Sequence, residues 1–162
     1  MKLYRTELDS GLNKKQFLVK SDSLGIKNAK DRVKCVLSCD KTSTGYRLYG
    51  KVFCDIKLSC DRCLSENEKQ IKTTLNILLT NDRDIVRENN ADIVMFTISD
   101  DFVDISSILH DVIELEKPIK NLCGDDCKGI CPSCGIDLNL NQCRCKNNFS
   151  INEFDKLKDL IK

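Results

Sequence analysis

The stretch from Cys123 to Cys145 reads CGDDCKGICPSCGIDLNLNQCRC and contains six of the eleven cysteines of the chain. Its most specific part is the run CPSCG, in which two residues separate Cys131 from Cys134 and Gly135 follows. Two thiolates at this spacing on a tight turn can bind one ion, and the glycine lets the backbone turn so that nearby N–H groups point at the sulfurs. An all-sulfur set of ligands favours zinc over calcium or magnesium.

The cysteines of this stretch have two simpler interpretations, disulfide bonds and buried free thiols. The first residues, Met1–Glu7, are mixed and charged rather than apolar, which predicts a cytoplasmic protein in a reducing compartment where disulfides are rare. Isolated cysteines are common in protein cores, but six of them in one short polar segment are hard to bury. We therefore interpret the segment as metal-binding.

Bulk composition excludes several classes of function. The chain has 162 residues, of which 41% are hydrophobic and 31% charged, and no apolar run reaches the ~18 residues of a membrane helix. We therefore expect no membrane partner. The net charge of +1 neither predicts nor excludes a local basic face. His110 is the only histidine, and we find no paired carboxylate motif, nucleophile elbow or phosphate-binding glycine loop. We expect no enzymatic activity and no small-molecule substrate.

Alternating apolar residues predict three long β-strands between residues 32 and 80. The positions that face one way are Val33, Cys35, Leu37 and Cys39, then Tyr46, Leu48, Val52, Cys54, Ile56 and Leu58, then Ile71, Thr73, Leu75, Ile77 and Leu79. The alternation assigns Cys35, Cys39 and Cys54 to the core as packing residues. Gly50 interrupts the second apolar row, which predicts a bulge or bend.

The remaining segments predict a mixed α+β fold. Residues 81–91 are polar and predict an exposed loop, whereas Asp92–Ile98 predicts a central or covered strand. A helix is expected at about 104–116, with Asp104 as its N-cap. Near the end of the chain, Ser150 begins a capping-box pattern that predicts a short C-terminal helix.

These elements divide the chain into an antiparallel β-rich domain with one packed helix, residues 1–120, and a zinc-ribbon-like module, residues 121–162. The pattern leaves open whether the sheet closes into a barrel.

Cys60 and Cys63 lie at the turn between the second and third long strands, where a C-x-x-C pair makes a good half-site for zinc. A redox-active pair is the alternative, but that motif normally opens a helix in a thioredoxin-like unit. Eight cysteines thus have metal-like spacings, which allows one or two zinc ions.

One division of these cysteines gives a site of Cys131, Cys134, Cys143 and Cys145, and leaves Cys60, Cys63, Cys123 and Cys127 to join the strand turn to the tail. Another has a single site in which Cys123 or Cys127 replaces a member of the close pair Cys143-Arg144-Cys145. A site closed by four protein ligands would be structural rather than catalytic, and without zinc we expect at least residues 123–145 to be disordered.

Three of these blocks together resemble a known family. The run CDRCL at 60–64 before an alternating strand, the acidic apolar helix before Pro118, and the tail run CKGICPSCG at 127–135 with its later CRC are similar to the bacterial YceD family of large ribosomal RNA subunit accumulation proteins. The resemblance covers most of the chain from about residue 32.

The resemblance implies a non-enzymatic role in the accumulation of large-subunit (23S) ribosomal RNA or in ribosome assembly, with ribosomal RNA or assembly proteins as partners. The residues themselves add a candidate contact. Four basic side chains lie beside the expected metal sites and are candidates for phosphate contacts: Arg62, Lys128, Arg144 and Lys146.

Overall fold

The computed structural model of the chain describes residues 1–87, 92–97 and 99–145. Its elements are β1 (Lys2–Tyr4), α1 (Arg5–Asp9), β2 (Leu12–Lys20), a 3-10 turn (Asp22–Leu24), β3 (Arg32–Thr42), β4 (Gly45–Ser59), β5 (Glu66–Thr80), α2 (Arg83–Arg87), β6 (Ile93–Met95), β7 (Phe102–Asp104) and α3 (Ser106–Leu115). Lys146 and the helix predicted from Ser150 lie outside the described residues.

The main sheet has five strands in the order β2-β3-β4-β5-β6. The pairs β2–β3, β3–β4 and β4–β5 are antiparallel, and the pair β5–β6 is parallel. Strands β1 and β7 form a separate antiparallel pair. Within the described ranges β2 and β6 are the two edges of the main sheet, so the sheet is open. The expected α+β class is confirmed, and of the two forms left open for the sheet the structure shows the open one.

The core lies on one face of this sheet because the apolar residues of β3, β4 and β5 alternate along each strand. Helix α3 covers that inner face with the fully buried Leu109 and Ile113. The division of the chain at residues 120 and 121 into two domains stays a prediction.

The three cysteines assigned to packing lie in this core, as predicted. Cys35, Cys39 and Cys54 are at most 4% exposed. Burial raises the pKa of the Cys35 and Cys39 thiols to about 11 and also raises the pKa of Cys54. These thiols are therefore protonated at neutral pH and act as small apolar side chains.

Helix α3 confirms the helix expected at about 104–116, with a different N-terminus. Its N-cap is Ile105, and Asp104 belongs to β7. The Asp104 carboxylate still accepts a hydrogen bond of 2.9 Å from the backbone N–H of Ser106. The expected cap chemistry is present, but it comes from the residue before the cap position.

Three other local expectations differ from the structure. Pairing runs through Gly50 without a register shift on either side, so there is no bulge at this residue. A Cβ atom at Gly50 would lie 2.1 Å from the carbonyl oxygen of Val36, so the glycine allows a close approach of β3. The strand expected at 92–98 is the short edge strand β6, not a central one. The loop expected at 81–91 contains the helix α2.

None of the described helices combines the length and the apolar composition that crossing a lipid bilayer requires.

The close approach at Gly50 predicts a large cost for any side chain there. Gly50→Ala should lower the free energy of unfolding by about 1–3 kcal/mol, because the added methyl group overpacks the β3–β4 interface. Denaturant unfolding of the purified protein measures the change. Gly124→Ala is the control: no atom lies within 4 Å of a Cβ at that position, so it should stay within about 0.5 kcal/mol of the parent. Equal stability of the two variants would contradict the prediction.

Candidate metal centre

The first cysteine group forms at the tip of the β4–β5 hairpin. Strand β4 ends at Ser59 and β5 begins at Glu66, so the turn between them carries Cys60 and Cys63. The turn is closed by a 2.8 Å hydrogen bond from the N–H of Cys60 to the carbonyl of Ser65, and Leu64 takes the left-handed φ of 61°. The two cysteines therefore point from one tight turn into the same space.

Two cysteines from the segment after α3 complete this group. The sulfurs of Cys60 and Cys127 lie 3.7 Å apart, and those of Cys63 and Cys123 lie 3.5 Å apart. All four ligand atoms lie within 4.8 Å of one another. A disulfide would need about 2.05 Å between sulfurs, whereas a tetrahedron of sulfurs around zinc has edges of about 3.8 Å for Zn–S bonds of about 2.3 Å.

Asn121 brings this segment to the hairpin tip. Its backbone N–H donates to the Asp61 carboxylate at 2.6 Å, and its carbonyl accepts from the Asp61 N–H at 2.8 Å. Its side-chain amide donates to the carbonyl of Ser59 at 2.8 Å and to the Asn67 side chain at 3.2 Å. Asn121 is 5% exposed, and its partly buried bonds place Cys123 against the turn.

Arg62 makes a second link between the hairpin and the tail. Its guanidinium donates to the carbonyl of Cys127 at 2.8 Å, and its own carbonyl accepts from the N–H of Ile130 at 3.1 Å. A Cβ atom at Gly129 would lie 3.1 Å from the Arg62 carbonyl oxygen. The tail passes this close because residue 129 has no side chain.

The second cysteine group is formed by the tail alone. Cys131, Cys134, Cys143 and Cys145 have ligand atoms that all lie within 4.8 Å of one another. The sulfur of Cys143 lies 3.4 Å from that of Cys131 and 3.5 Å from that of Cys134. Only Cys131 of this group is buried. The turn that holds the first pair is closed by a 2.8 Å bond from the N–H of Gly135 to the carbonyl of Cys131.

Asn139 connects the two groups. Its side-chain amide lies 3.5 Å from the sulfur of Cys127, and its side-chain oxygen accepts a 2.8 Å hydrogen bond from the N–H of Lys128. A bond of 2.9 Å from the N–H of Leu138 to the carbonyl of Gly129 supports the same loop. The loop of the second group is therefore joined to the first group by the contact between the Asn139 amide and the buried sulfur of Cys127.

The two C-x-x-C turns share one electrostatic feature. The N–H groups of Cys63 and Arg62 point at the sulfur of Cys60, and together they lower the pKa of that thiol to about 6. The N–H groups of Cys134 and Ser133 do the same at Cys131, whose pKa is also lowered to about 6. Backbone N–H donors stabilise a thiolate, which is the form of cysteine that binds a metal.

One cysteine opposite each turn, Cys123 in the first group and Cys145 in the second, holds its proton. Hydrogen bonding with Cys127 and Cys63 raises the pKa of Cys123 to about 12, and hydrogen bonding with Cys143 and Cys134 raises the pKa of Cys145 to about 12. A bound metal cation takes the place of such shared protons, since its ligands bind deprotonated. Each group of four cysteines can therefore hold a metal ion.

The structure thus brings the eight predicted cysteines together in two groups of four, with the first of the two divisions considered above. Metal binding by these eight residues stays a prediction. Of the four basic residues, Lys128 and Arg144 are exposed beside the groups, Arg62 is bonded to the tail, and Lys146 lies outside the described residues. Sequence reasoning missed Asn121 and Asn139. Asn139 stands beside Leu138 in the family-like tail, but no local signal marks Asn121.

The fold and the site define a class: a small α+β protein whose β-hairpin tip and tail carry two four-cysteine groups that can hold metal ions. The family model described as "Large ribosomal RNA subunit accumulation protein YceD" matches residues 48–161. The chain belongs to this family.

Relatives of known name support the assignment. The chain is 30% identical over 155 residues to the protein of Zea mays named "Large ribosomal RNA subunit accumulation protein YCED homolog 1, chloroplastic", a match that covers 77% of this chain and 52% of the relative. Its namesake in Arabidopsis thaliana is 28% identical over 127 residues, covering 61% and 39%.

An uncharacterised protein of Mycobacterium tuberculosis strain H37Rv is 28% identical over 102 residues, covering 63% of this chain and 49% of the relative. The chain therefore spans about half the length, or less, of these curated relatives. No solved structure matches the chain.

The docking role of Asn121 generates a test. Asn121→Ala should lower the free energy of unfolding by about 1–3 kcal/mol, because the Ser59 carbonyl and the Asn67 side chain lose the donor supplied by the buried Asn121 amide. Thermal and denaturant unfolding measure the change. Asn141→Ala is the matched control, since Asn141 is exposed and its bond to Asp137 uses only the backbone N–H. A cost for Asn141→Ala as large as that for Asn121→Ala would contradict the docking role.

Proposed function

We propose that this chain is a zinc-binding, non-enzymatic factor that supports accumulation of the large-subunit (23S) ribosomal RNA during ribosome assembly in the bacterial cytoplasm. The observation that carries the proposal is the pair of four-sulfur groups, of which the first joins the family-like tail to the β4–β5 hairpin and the second lies within that tail. The names of the plant relatives supply the process, and the family supplies the link to this chain.

Zinc is the metal that fits the donors best. Thiolate ligands are soft and suit zinc better than hard cations, and the sulfur separations of 3.4–3.7 Å approach the edge of a zinc–thiolate tetrahedron. Four protein ligands leave no position for a water or a substrate, so each ion would be structural. A structural site of this kind contributes folding free energy on the order of 10 kcal/mol at neutral pH.

A surface function follows from a structural metal. The two groups fix the path of the tail, and its residues Lys128 and Arg144 lie on the surface as exposed cations. The partners we propose are therefore ribosomal RNA or ribosome-assembly proteins, reached through this zinc-ribbon-like surface. Arg62 has a share in tail docking through Cys127, so its contribution to any RNA contact has to be tested separately.

The geometry disfavours the redox alternative at Cys60 and Cys63. The pair lies on a turn between antiparallel strands rather than at the start of a helix. Cys60 is fully buried, whereas a thiol that exchanges disulfides with a partner needs access to it. Metal content separates the two functions, because the zinc protein has no titratable thiol pair at this turn until the metal is removed.

Metal analysis tests the zinc proposal directly. Protein purified under reducing conditions should contain two zinc ions per chain by elemental analysis. Cys63→Ser should remove one ion and Cys134→Ser the other, because each change breaks one closed set of four ligands. Cys54→Ala alters a core thiol and should keep both ions. A zinc content that does not respond to Cys63→Ser or Cys134→Ser would overturn the assignment of ligands.

Chelation provides an independent readout. Removal of zinc should expose residues 123–145 to proteolysis while the cleavage of β3–β5 stays slow, because the tail depends on the metal more than the sheet does. An unchanged digestion pattern after complete chelation would contradict a structural role.

The RNA contact beside the metal groups is tested by charge reversal. Lys128→Glu with Arg144→Glu should reduce co-sedimentation with large-subunit precursors and lower RNA affinity, with a salt dependence shallower by about 0.7 for each lost phosphate contact. Lys27→Glu with Lys120→Glu changes the net charge equally at exposed sites and serves as the control. Equal effects of the two pairs would rule out a specific contact by the tail.

A further inference from the structure

The side of the main sheet that faces away from α3 carries a distinctive set of side chains, some exposed, such as Tyr49, and some half-buried, such as Phe53. We call this side the outer face. Its residues alternate with the core residues of β2 to β5 and follow from the strand register. The three central rows across the sheet are Leu18–Lys34–Phe53–Lys72, Gln16–Val36–Lys51–Thr74 and Ser38–Tyr49–Asn76.

Positive charge is concentrated in these rows. They contain Lys34, Lys51 and Lys72 and no acidic residue, although the whole chain has a net charge of only +1. None of the ion pairs found within the described residues involves any of the three lysines. The flanking rows add Lys20, Arg32 and Arg47 against Asp40 and Asp55.

Two aromatic rings lie among these lysines. Phe53 on β4 pairs with Lys34 on β3 and with Lys72 on β5. The two lysines therefore lie on the strands next to Phe53, each about one strand spacing, ~4.8 Å, from β4. Tyr49 lies on the same face of β4, about 13 Å along the strand at ~3.4 Å per residue.

Folding does not account for these rings, because neither Phe53 nor Tyr49 belongs to the core or packs against it. The guanidinium of Arg47 lies 5.6 Å from the Tyr49 ring centroid, and its Nε donates to the Asn76 side chain at 3.1 Å. Arg47 therefore restrains one side of the tyrosine and leaves that ring exposed.

We infer that the outer face binds single-stranded RNA, with bases stacked on Phe53 and Tyr49 and phosphates against Lys34, Lys51 and Lys72. Flat rings between unpaired cations on an open sheet match unpaired bases joined by anionic phosphates. A duplex hides its bases and offers these rings nothing to stack on, and an acidic protein would need the lysines alone. The inference rests on the proposed function in taking RNA as the partner, and it adds a surface distinct from the tail.

The test is RNA binding by the full-length, zinc-loaded protein, measured by fluorescence anisotropy with a mixed-sequence single-stranded RNA of about 12 nucleotides. Phe53→Ala should weaken binding by about 5- to 150-fold, the range of one lost base stack. Lys51→Glu with Lys72→Glu should weaken it and make the slope of log affinity against log salt shallower by about 1.4, for two phosphate contacts.

Controls separate this effect from loss of fold or of bulk charge. Phe102→Ala removes an exposed ring from β7, outside the main sheet, and should bind within about 2-fold of the parent. Lys27→Glu with Lys120→Glu matches the charge change on the opposite layer, since Lys27 follows the 3-10 turn that contacts α3 and Lys120 follows α3 itself. This pair should leave the salt slope unchanged. Zinc content and circular dichroism confirm that each variant is folded.

The outcomes distinguish this inference from the proposed function. If the parent co-sediments with large-subunit precursors but the outer-face variants bind RNA as the parent does, the outer-face site is wrong and the proposed function stands. If the outer-face variants lose RNA binding while the parent fails to co-sediment, the site stands and the ribosomal role is wrong. Equal losses in the outer-face pair and the Lys27/Lys120 pair would reduce the interaction to bulk charge and overturn the site.

Discussion

The reciprocal hydrogen bonds between Asp61 and Asn121 are the contact on which the arrangement of the site depends. They join positions 60 residues apart in the chain, at the tip of a hairpin whose two strands are fifteen residues long. This contact, together with the bond from Arg62 to the carbonyl of Cys127, places Cys123 and Cys127 beside the sulfurs of the turn. A metal bound there would strengthen the same contact, because four ligands drawn from two distant segments gain affinity when those segments are already docked.

Cysteine has two different surroundings in this chain, which predict packing for some of its thiols and metal binding for others. Cys35 alternates with polar residues along β3, and burial raises its thiol pKa to about 11. Cys60 is equally buried, yet the N–H groups of its turn lower its pKa to about 6. Burial alone therefore does not separate packing from ligation. The difference in pKa between Cys35 and Cys60 comes from the backbone N–H donors of a C-x-x-C turn. For this reason the spacing of cysteines along the sequence and the geometry of the described residues separate the core cysteines from the grouped ones in the same way.

Local patterns predicted strands β3 to β5, helix α3 and the close cysteine pairs because each depends on residues close together in sequence, whereas they left open which pairs form one group. What they did not predict depends on distant partners. The pairing of β1 with β7 joins Leu3 to Val103, and no sequence pattern near either residue predicts this pairing. The apolar run at 93–96 reads as a covered strand, but only three residues pair with β5. Gly50 predicts a bulge or a bend from sequence, because an isolated glycine in a strand can mark either of these or a close backbone approach, and only the position of β3 shows the close approach.

A structural metal would perform no chemistry itself, so the function would depend on the surfaces that the cysteines hold in place. On the zinc proposal the tail depends on its sulfurs to fold, whereas the core of the sheet includes neither Phe53 nor Tyr49. Replacing either ring with a polar residue would leave the buried rows of β3 to β5 unchanged, and three unpaired lysines in adjacent rows repel one another without stabilising the sheet. The two rings do not contribute to the core, and the charges of the three lysines oppose folding. A negatively charged partner that binds this surface best explains both features. On these proposals the cysteine groups position the protein's tail, and the open sheet is a second surface for the nucleic acid.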